Sequence, residues 1–251
     1  MPHLTSAPAD TASTGLGVGL GIPGYAHPLV APLEWGELSR PGTPVHWAVL
    51  NVSGGPGTRP DPHCLEAAAR LRNAGVRVLG HLDVRHGTRL PTDILLEAQR
   101  YLDWYRADGF LLDRCPTQRA ALPAIRRTVT ALRSLFAPAP GHLVLGHGAH
   151  PYPGYAENAD QLVTFRGSWS DYRWSQVAEW TADYPADRFC HFVHGVPRGH
   201  LEEALRIARW QGAATIWFTD RTDLGGRIDP FETMPGYWDD IVSRLGTGVS
   251  E

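Results

Sequence analysis

Short apolar runs alternate with longer amphipathic stretches over residues 16–245, and this restricts the chain to folds built from strand–helix steps. The apolar runs cover residues 16–22, 45–52, 76–84, 109–113, 143–146, 161–165, 189–193 and 214–218. They are predominantly apolar, as strands are when both faces of a parallel sheet are covered. A helix is expected over 61–74, with Gly75 as its stop. Ile94, Ala98, Tyr101, Leu102 and Tyr105 share one helical face. Leu122, Ile125, Val129 and Leu132 mark another helix, and a further one is expected around 175–183. Leu201, Ala204, Leu205 and Ala208 mark the next, ended at Gly212, and Trp238, Ile241, Val242 and Leu245 form a closing helix. Eight such steps in about 230 residues predict a single (β/α)8 barrel of the TIM type. An open doubly wound sheet is the other arrangement, but it calls for a Gly-rich turn after the first strand. Here Gly15, Gly17, Gly19 and Gly21 alternate within the run itself.

A chain of 251 residues suits one such barrel, and no linker or internal repeat divides it. Residues 15–246 are read as the barrel, with tails at 1–14 and 247–251. A net charge of −3 argues against a nucleic-acid surface or a polybasic membrane anchor. No apolar run approaches the ~20 residues of a membrane span. The first 14 residues lack the basic start and apolar stretch of a secretory leader, so a cytoplasmic location is expected. All 23 basic residues are arginine, the usage expected of a GC-rich, bacterial genome. Cys64, Cys115 and Cys190 are odd in number and widely spaced, which predicts buried free thiols rather than disulfides or a zinc knuckle.

Chemistry in such a barrel sits at the C-terminal ends of the strands. The chain places Tyr25 and His27 after the first strand, and Asn51 after the second. His81 and Asp83 end the third, and Asp113 and Arg114 the fourth. His147 and His150 follow the fifth, Arg166 and Trp169 the sixth. His191 and His194 lie on the seventh, and Asp220 and Arg221 follow the eighth. Carboxylates, imidazoles and aromatic faces together suit a small-molecule ligand of polyhydroxylated, sugar-like type. His81 and Asp83 share a strand face. No HxH follows the first strand and no HExxH occurs, so neither a metal nor another cofactor is expected.

Residues 47–57, Trp-Ala-Val-Leu-Asn-Val-Ser-Gly-Gly-Pro-Gly, resemble the strand of the spherulin-4 family that ends in Asn-Pro-x-Ser-Gly-Pro-Gly. Residues 75–80 and 85–89 resemble that family's third strand and loop. Residues 101–113, with Trp104-Tyr105 and Asp108-Gly109, resemble its WYxxDGxxxDE segment. Residues 162–169, His194 and residues 213–238 continue the resemblance in order, over about 16–245 in all. It implies a (β/α) barrel similar to glycoside hydrolases that cut galactosamine-containing polysaccharides. The departures are specific. Arg114 stands where the family motif has Glu after Asp113, Arg166 stands where it has another Glu, and Val52 replaces a Pro.

Glycosidic cleavage normally uses two carboxyl groups, one to protonate the leaving oxygen and one to attack or to activate water. Arginine stays protonated and does neither. Asp113 is then the key carboxylate, with Asp83 or Asp220 as candidate catalytic partners. Arg114 and Arg166 are expected to bind an anionic group on the substrate. Tyr25, Asn51, Trp169 and His194 are expected to line the cleft. Three functions stay open: a glycoside-hydrolase-like enzyme with a remodelled site, a biosynthetic enzyme acting on a small anionic metabolite, and a ligand-binding barrel without catalysis.

Overall fold

The structure, a computed structural model, describes residues 17–24, 26–223, 225 and 229–246. Eight parallel strands close into a barrel in chain order. They are β1 (Gly19–Ile22), β2 (Val45–Leu50), β3 (Arg77–Asp83), β4 (Gly109–Asp113), β5 (His142–Gly146), β6 (Gln161–Ser168), β7 (Phe189–His194) and β8 (Thr215–Phe218). Closure is made by β1 on β8, through Gly19 opposite Thr215 and Leu20 opposite Ile216. This is the (β/α)8 fold that the strand–helix alternation predicts.

The helices are α1 (Pro32–Leu38), α2 (Pro62–Asn73), α3 (Pro91–Tyr105), α4 (Leu122–Arg133), α5 (Trp169–Tyr172), α6 (Leu201–Trp210) and α7 (Trp238–Gly246). Local chemistry sets their ends. Asp61 caps α2 by accepting the His63 and Cys64 N–H groups, Pro62 opens it, and Gly75 leaves it at φ +80°. α3 buries Ile94, Ala98, Tyr101 and Tyr105 against the barrel, the face expected from their spacing. A Cβ on Gly80 would stand 2.6 Å from the Tyr101 ring, so β3 needs glycine where α3 crosses it.

The alternating glycines at the start of the chain have a packing cause. A Cβ on Gly19 would meet the His46 ring at 2.2 Å, and one on Gly21 would meet Trp47 and Thr215 at 2.6 Å. Inside the barrel, Trp47 Nε1 donates to Gln161 Oε1 at 2.7 Å, and Gln161 Nε2 donates to Thr215 Oγ1 at 3.0 Å. These bonds satisfy polar groups that would otherwise be costly to bury.

One expected helix is absent. Residues 175–178 are irregular and Glu179–Asp183 form a 3-10 turn, while α5 lies earlier, capped by the Ser168 hydroxyl. The segment is held by ring contacts instead. Trp180 packs edge-on to Tyr184 and Phe189 at 5.9 and 5.7 Å, which pins it to the foot of β7. Pro153–Asn158 is likewise a 3-10 segment between β5 and β6. Strand ends shift by one to three residues, chiefly in β6, which continues past Phe165 to Ser168. The described elements run from Gly19 to Gly246; the tails expected at 1–14 and 247–251 lie outside the described residues. All three cysteines are free and buried, as expected. Among the described residues no helix is long and apolar enough to cross a membrane.

Candidate active site

Adjacent strands bring Asp83 and Asp113 side by side. They end β3 and β4 and are register partners. Asp113 accepts three hydrogen bonds: from His81 Nε2 at 3.3 Å, from its neighbour's backbone N–H (Arg114) at 2.9 Å, and from Arg166 Nη1 at 3.5 Å. Burial alone would raise its pKa. The His81 hydrogen bond, the Arg166 and His81 charges and the Arg114 N–H overcome burial and hold it down at about 2. Asp113 is therefore a fixed carboxylate at neutral pH.

Asp83 is bound on two sides. Arg114 grips it through Nε at 2.9 Å and through Nη2, and the Arg85 guanidinium lies 3.5 Å away. Burial pushes its pKa up, but the Arg114 bonds and the Arg85 N–H carry it down overall. The backbone makes this grip possible. Arg85, His86 and Arg114 all take left-handed φ values of +45°, +56° and +54°. Such conformations cost about 1–3 kcal/mol each and cluster at functional sites. Here they turn the chain sharply, so the Arg114 side chain folds back across β3.

Arg166 arrives through a register shift in β6 between Val163 and Phe165. Irregularities of this kind re-aim side chains. Its guanidinium reaches Asp113, Asp229 at 3.2 Å, and the face of Phe231 at 5.0 Å. Three guanidinium groups (Arg85, Arg114, Arg166) thus meet three carboxylates (Asp83, Asp113, Asp229). Among the described residues, the charges of these six groups cancel.

A cavity of about 290 Å³ opens over these groups, between His86, Asp113, Arg114, His147 and Arg166. Arg166 also walls a second cavity of about 340 Å³, with His194, Asp229 and Phe231. His147 donates Nδ1–H to the Pro116 carbonyl at 3.0 Å, and burial drops its pKa to about 4. It is a neutral wall residue at physiological pH. A cavity of about 630 Å³ lies at the opposite, N-terminal end beside His46 and His142. Barrels carry their chemistry at the other end, and there Gln161 accepts from Trp47 and Thr215 contacts the His46 ring.

The remaining expected site residues are scattered. His194 lines the second cavity, edge-on to Phe231 at 5.9 Å. Asn51 spends its side-chain oxygen on the Gly55 N–H at 3.0 Å and so shapes the turn after β2. Asp220 accepts from the Gly236 N–H at 2.9 Å, which ties the loop before α7; it borders neither mouth cavity. Trp169 is buried against Tyr172 and His200, outside both cavities. Tyr25 lies outside the described residues. Beyond the expected site residues the mouth uses His81, Arg85, His86, His147, Asp229 and Phe231. His81 had a signal, since it shares a strand face with Asp83. Asp229 and Phe231 come from the loop after β8, which has no periodicity to read. Glu232, beside them, is pushed up by burial and by the Asp229 charge, but borders neither mouth cavity.

The Asp113 environment predicts an acid limb in stability. In the unfolded chain an Asp titrates near 3.9, and in the folded protein Asp113 titrates at about 2. The unfolded chain takes up this proton first as pH falls. The contribution of about 2 kcal/mol is whole above about pH 4 and lost by about pH 2. Urea midpoints measured between pH 5 and pH 2 should fall further in the wild type than in Asp113→Asn. Parallel curves would contradict this account of the carboxylate.

The sequence model of spherulation-specific family 4 matches residues 20–245. Among solved structures, Aspergillus clavatus Sph3 in complex with GalNAc superposes with a TM-score of 0.76 at 22% identity, covering 92% of this chain and 98% of that one. A sugar phosphate isomerase/epimerase from Parabacteroides distasonis gives a TM-score of 0.49 at 13% identity, covering 96% of this chain and 99% of that one. No curated protein matches by sequence. With the family match running from β1 into α7, the chain belongs to spherulation-specific family 4.

Proposed function

We propose that the C-terminal mouth of the barrel binds and acts on a carbohydrate, with Asp113 working as a permanently ionised carboxylate. The observation that carries this reading is the triple hydrogen bonding of Asp113 beneath a cavity whose arginines are already paired with carboxylates. A neutral, polyhydroxylated ligand suits such a mouth. It finds carboxylate acceptors and guanidinium donors without having to neutralise either. A small anion suits it less well, because Arg114 and Arg166 are already engaged by Asp83, Asp113 and Asp229. Two cavities sharing the Arg166 wall also suit consecutive sugar units.

A fixed carboxylate can stabilise the positive charge that develops on a sugar ring, or attack its anomeric carbon. It cannot protonate a leaving oxygen. Neither Asp113 nor Asp83 holds a proton at neutral pH, because both pKa values are depressed. The reading therefore predicts a leaving-group dependence. Glycosides with good leaving groups, such as nitrophenyl sugars, need no acid. Unactivated oligosaccharides do, and should react slower by about 10²–10⁴-fold, the usual worth of general acid help. Since Sph3 was crystallised with GalNAc, nitrophenyl GalNAc and its oligosaccharides are the first substrates to compare. Binding of GalNAc, followed by amide-resonance shifts at the mouth, is the companion measurement. Binding without any turnover would make the barrel a lectin-like module. Binding of phosphates or carboxylic acids with no response to sugars would overturn the proposal.

A further inference from the structure

A cavity of about 750 Å³ at the C-terminal end is separate from Asp113. It is walled by residues 52–62 of the β2–α2 turn together with His27, Glu97 and Arg100. At its edge three side chains with metal-binding donors converge. His27 follows β1, Asp61 caps α2, and Cys64 lies in the first turn of that helix. Their donor atoms all lie within 4.8 Å of one another. We propose that His27, Asp61 and Cys64 form a binding site for a divalent ion of the zinc class, with the fourth position open to the cavity.

The spacing fits. Zinc bonds of about 2.0–2.3 Å at a tetrahedral angle set ligand atoms about 3.3–3.6 Å apart. His27 Nε2 stands 3.3 Å from Cys64 Sγ and 3.5 Å from Asp61 Oδ1. The donor types fit as well. Imidazole and thiolate select zinc and its neighbours, whereas calcium and magnesium call for oxygen alone. Carboxylate and thiolate together balance a divalent charge. They also offset the positive end of the α2 dipole, which by itself disfavours a cation.

The arrangement leaves one side of the ion accessible. Cys64 is fully buried, while the His27 and Asp61 side chains are 26% and 28% exposed. An ion seated on the sulfur therefore faces the cavity, and three protein ligands plus solvent is the pattern of an open zinc site. The base is braced from outside the cluster. The Tyr105 hydroxyl accepts from the Asp61 backbone N–H at 3.0 Å and donates to the Pro56 carbonyl at 3.1 Å. Asp61 Oδ1 also accepts the His63 and Cys64 N–H groups, which hold the carboxylate in place beside His27 Nε2.

One contact must change on loading. The Leu29 N–H donates to His27 Nδ1 at 3.2 Å, which places the single proton of a neutral ring on Nε2. Metal at Nε2 moves that proton to Nδ1, and the Leu29 N–H then turns to solvent. Leu29 and Val30 are 62% and 78% exposed, so this turn has room to adjust. A hydrogen-bonded His–Asp–Cys cluster would show the same spacing without any metal, and the experiment separates the two.

Cobalt(II) titrated into the full chain should bind at one ion per chain. It should give a near-ultraviolet thiolate-to-metal band and intense visible bands, and zinc should displace it. Cys64→Ser should remove the near-ultraviolet band and weaken binding by more than about 100-fold, beyond what changes outside the ligand set produce. Excess zinc should raise the melting temperature of the wild type and leave that of His27→Gln unmoved, a readout that holds even if the serine variant folds poorly. Absence of the thiolate band, its persistence in Cys64→Ser, or a zinc-insensitive wild-type melting temperature would each overturn the proposal.

Discussion

Asp113→Asn is expected to lower kcat/KM on an activated glycoside by about 10²–10³-fold, while the affinity for a simple sugar changes far less. The amide keeps the shape of the carboxyl and one acceptor oxygen, but it loses the negative charge. His81 Nε2 and the Arg166 guanidinium then point at a neutral group. A ground-state sugar hydroxyl notices this little, since an amide oxygen also accepts hydrogen bonds. The transition state notices it strongly, because positive charge builds on the ring and the fixed counter-charge is gone. Removing one preorganised electrostatic partner typically costs about 10²–10³ in rate. The useful measurement is the split between kcat and KM on a nitrophenyl sugar. A fall confined to KM would make Asp113 a binding group. Unchanged turnover would remove it from the reaction altogether.

The barrel was legible in the sequence because its rule is local. A run such as Gly109–Asp113 is apolar enough to be buried on both faces, and α3 repeats its apolar residues at helical spacing. The segment at 175–183 failed for the opposite reason. Trp180 and Tyr184 satisfy a helical period, yet they are half-buried by ring contacts with Phe189, a partner fixed only by the closed barrel. The candidate site divides in the same way. Asp83, Asp113, Arg114 and Arg166 come together because strand ends in a barrel must converge. Asn51 and Asp220 also stand at strand ends, but their oxygens cap nearby turns, a competing use of the same residue types. Trp169 sits one residue past β6 and packs outward on Tyr172. No periodicity reports which way such a residue turns.

Reading the arginines needed the structure. In sequence, Arg114 and Arg166 look like two positive groups awaiting an anion. In the fold each is already paired, Arg114 with Asp83 and Arg166 with Asp113 and Asp229. Arg166 and His81 beside it thus leave Asp113 more firmly ionised than burial alone would allow. The same pairing is the reason the proposed ligand is a neutral one.

Gly109→Ala is expected to destabilise the barrel by more than about 4 kcal/mol, the range reserved for severe packing faults. Gly109 opens β4 between Leu79 of β3 and His142 of β5. A Cβ there would stand 1.9 Å from the His142 carbonyl oxygen and 2.8 Å from its nitrogen. These are backbone atoms of the neighbouring strand, so no rotamer change relieves the overlap. Relief requires β4 and β5 to separate, and that breaks the adjoining bond from His142 N–H to the Asp108 carbonyl, now 3.0 Å. Asp113 is four residues along the same strand, about 13 Å away at ~3.3 Å per residue, so a shift of β4 also displaces it from His81 and Arg166. Gly80→Ala is the informative contrast. The atoms nearest its Cβ all belong to the Tyr101 ring, from 2.6 Å, and a side chain can be cut back. Gly80→Ala should therefore cost less in the Tyr101→Leu background than in the wild type, with a coupling above about 1 kcal/mol in urea unfolding. No single side-chain truncation should do the same for Gly109→Ala. A soluble Gly109→Ala protein with the wild-type urea midpoint would mean that β4 and β5 do not pair in this register, and the placement of Asp113 would go with it.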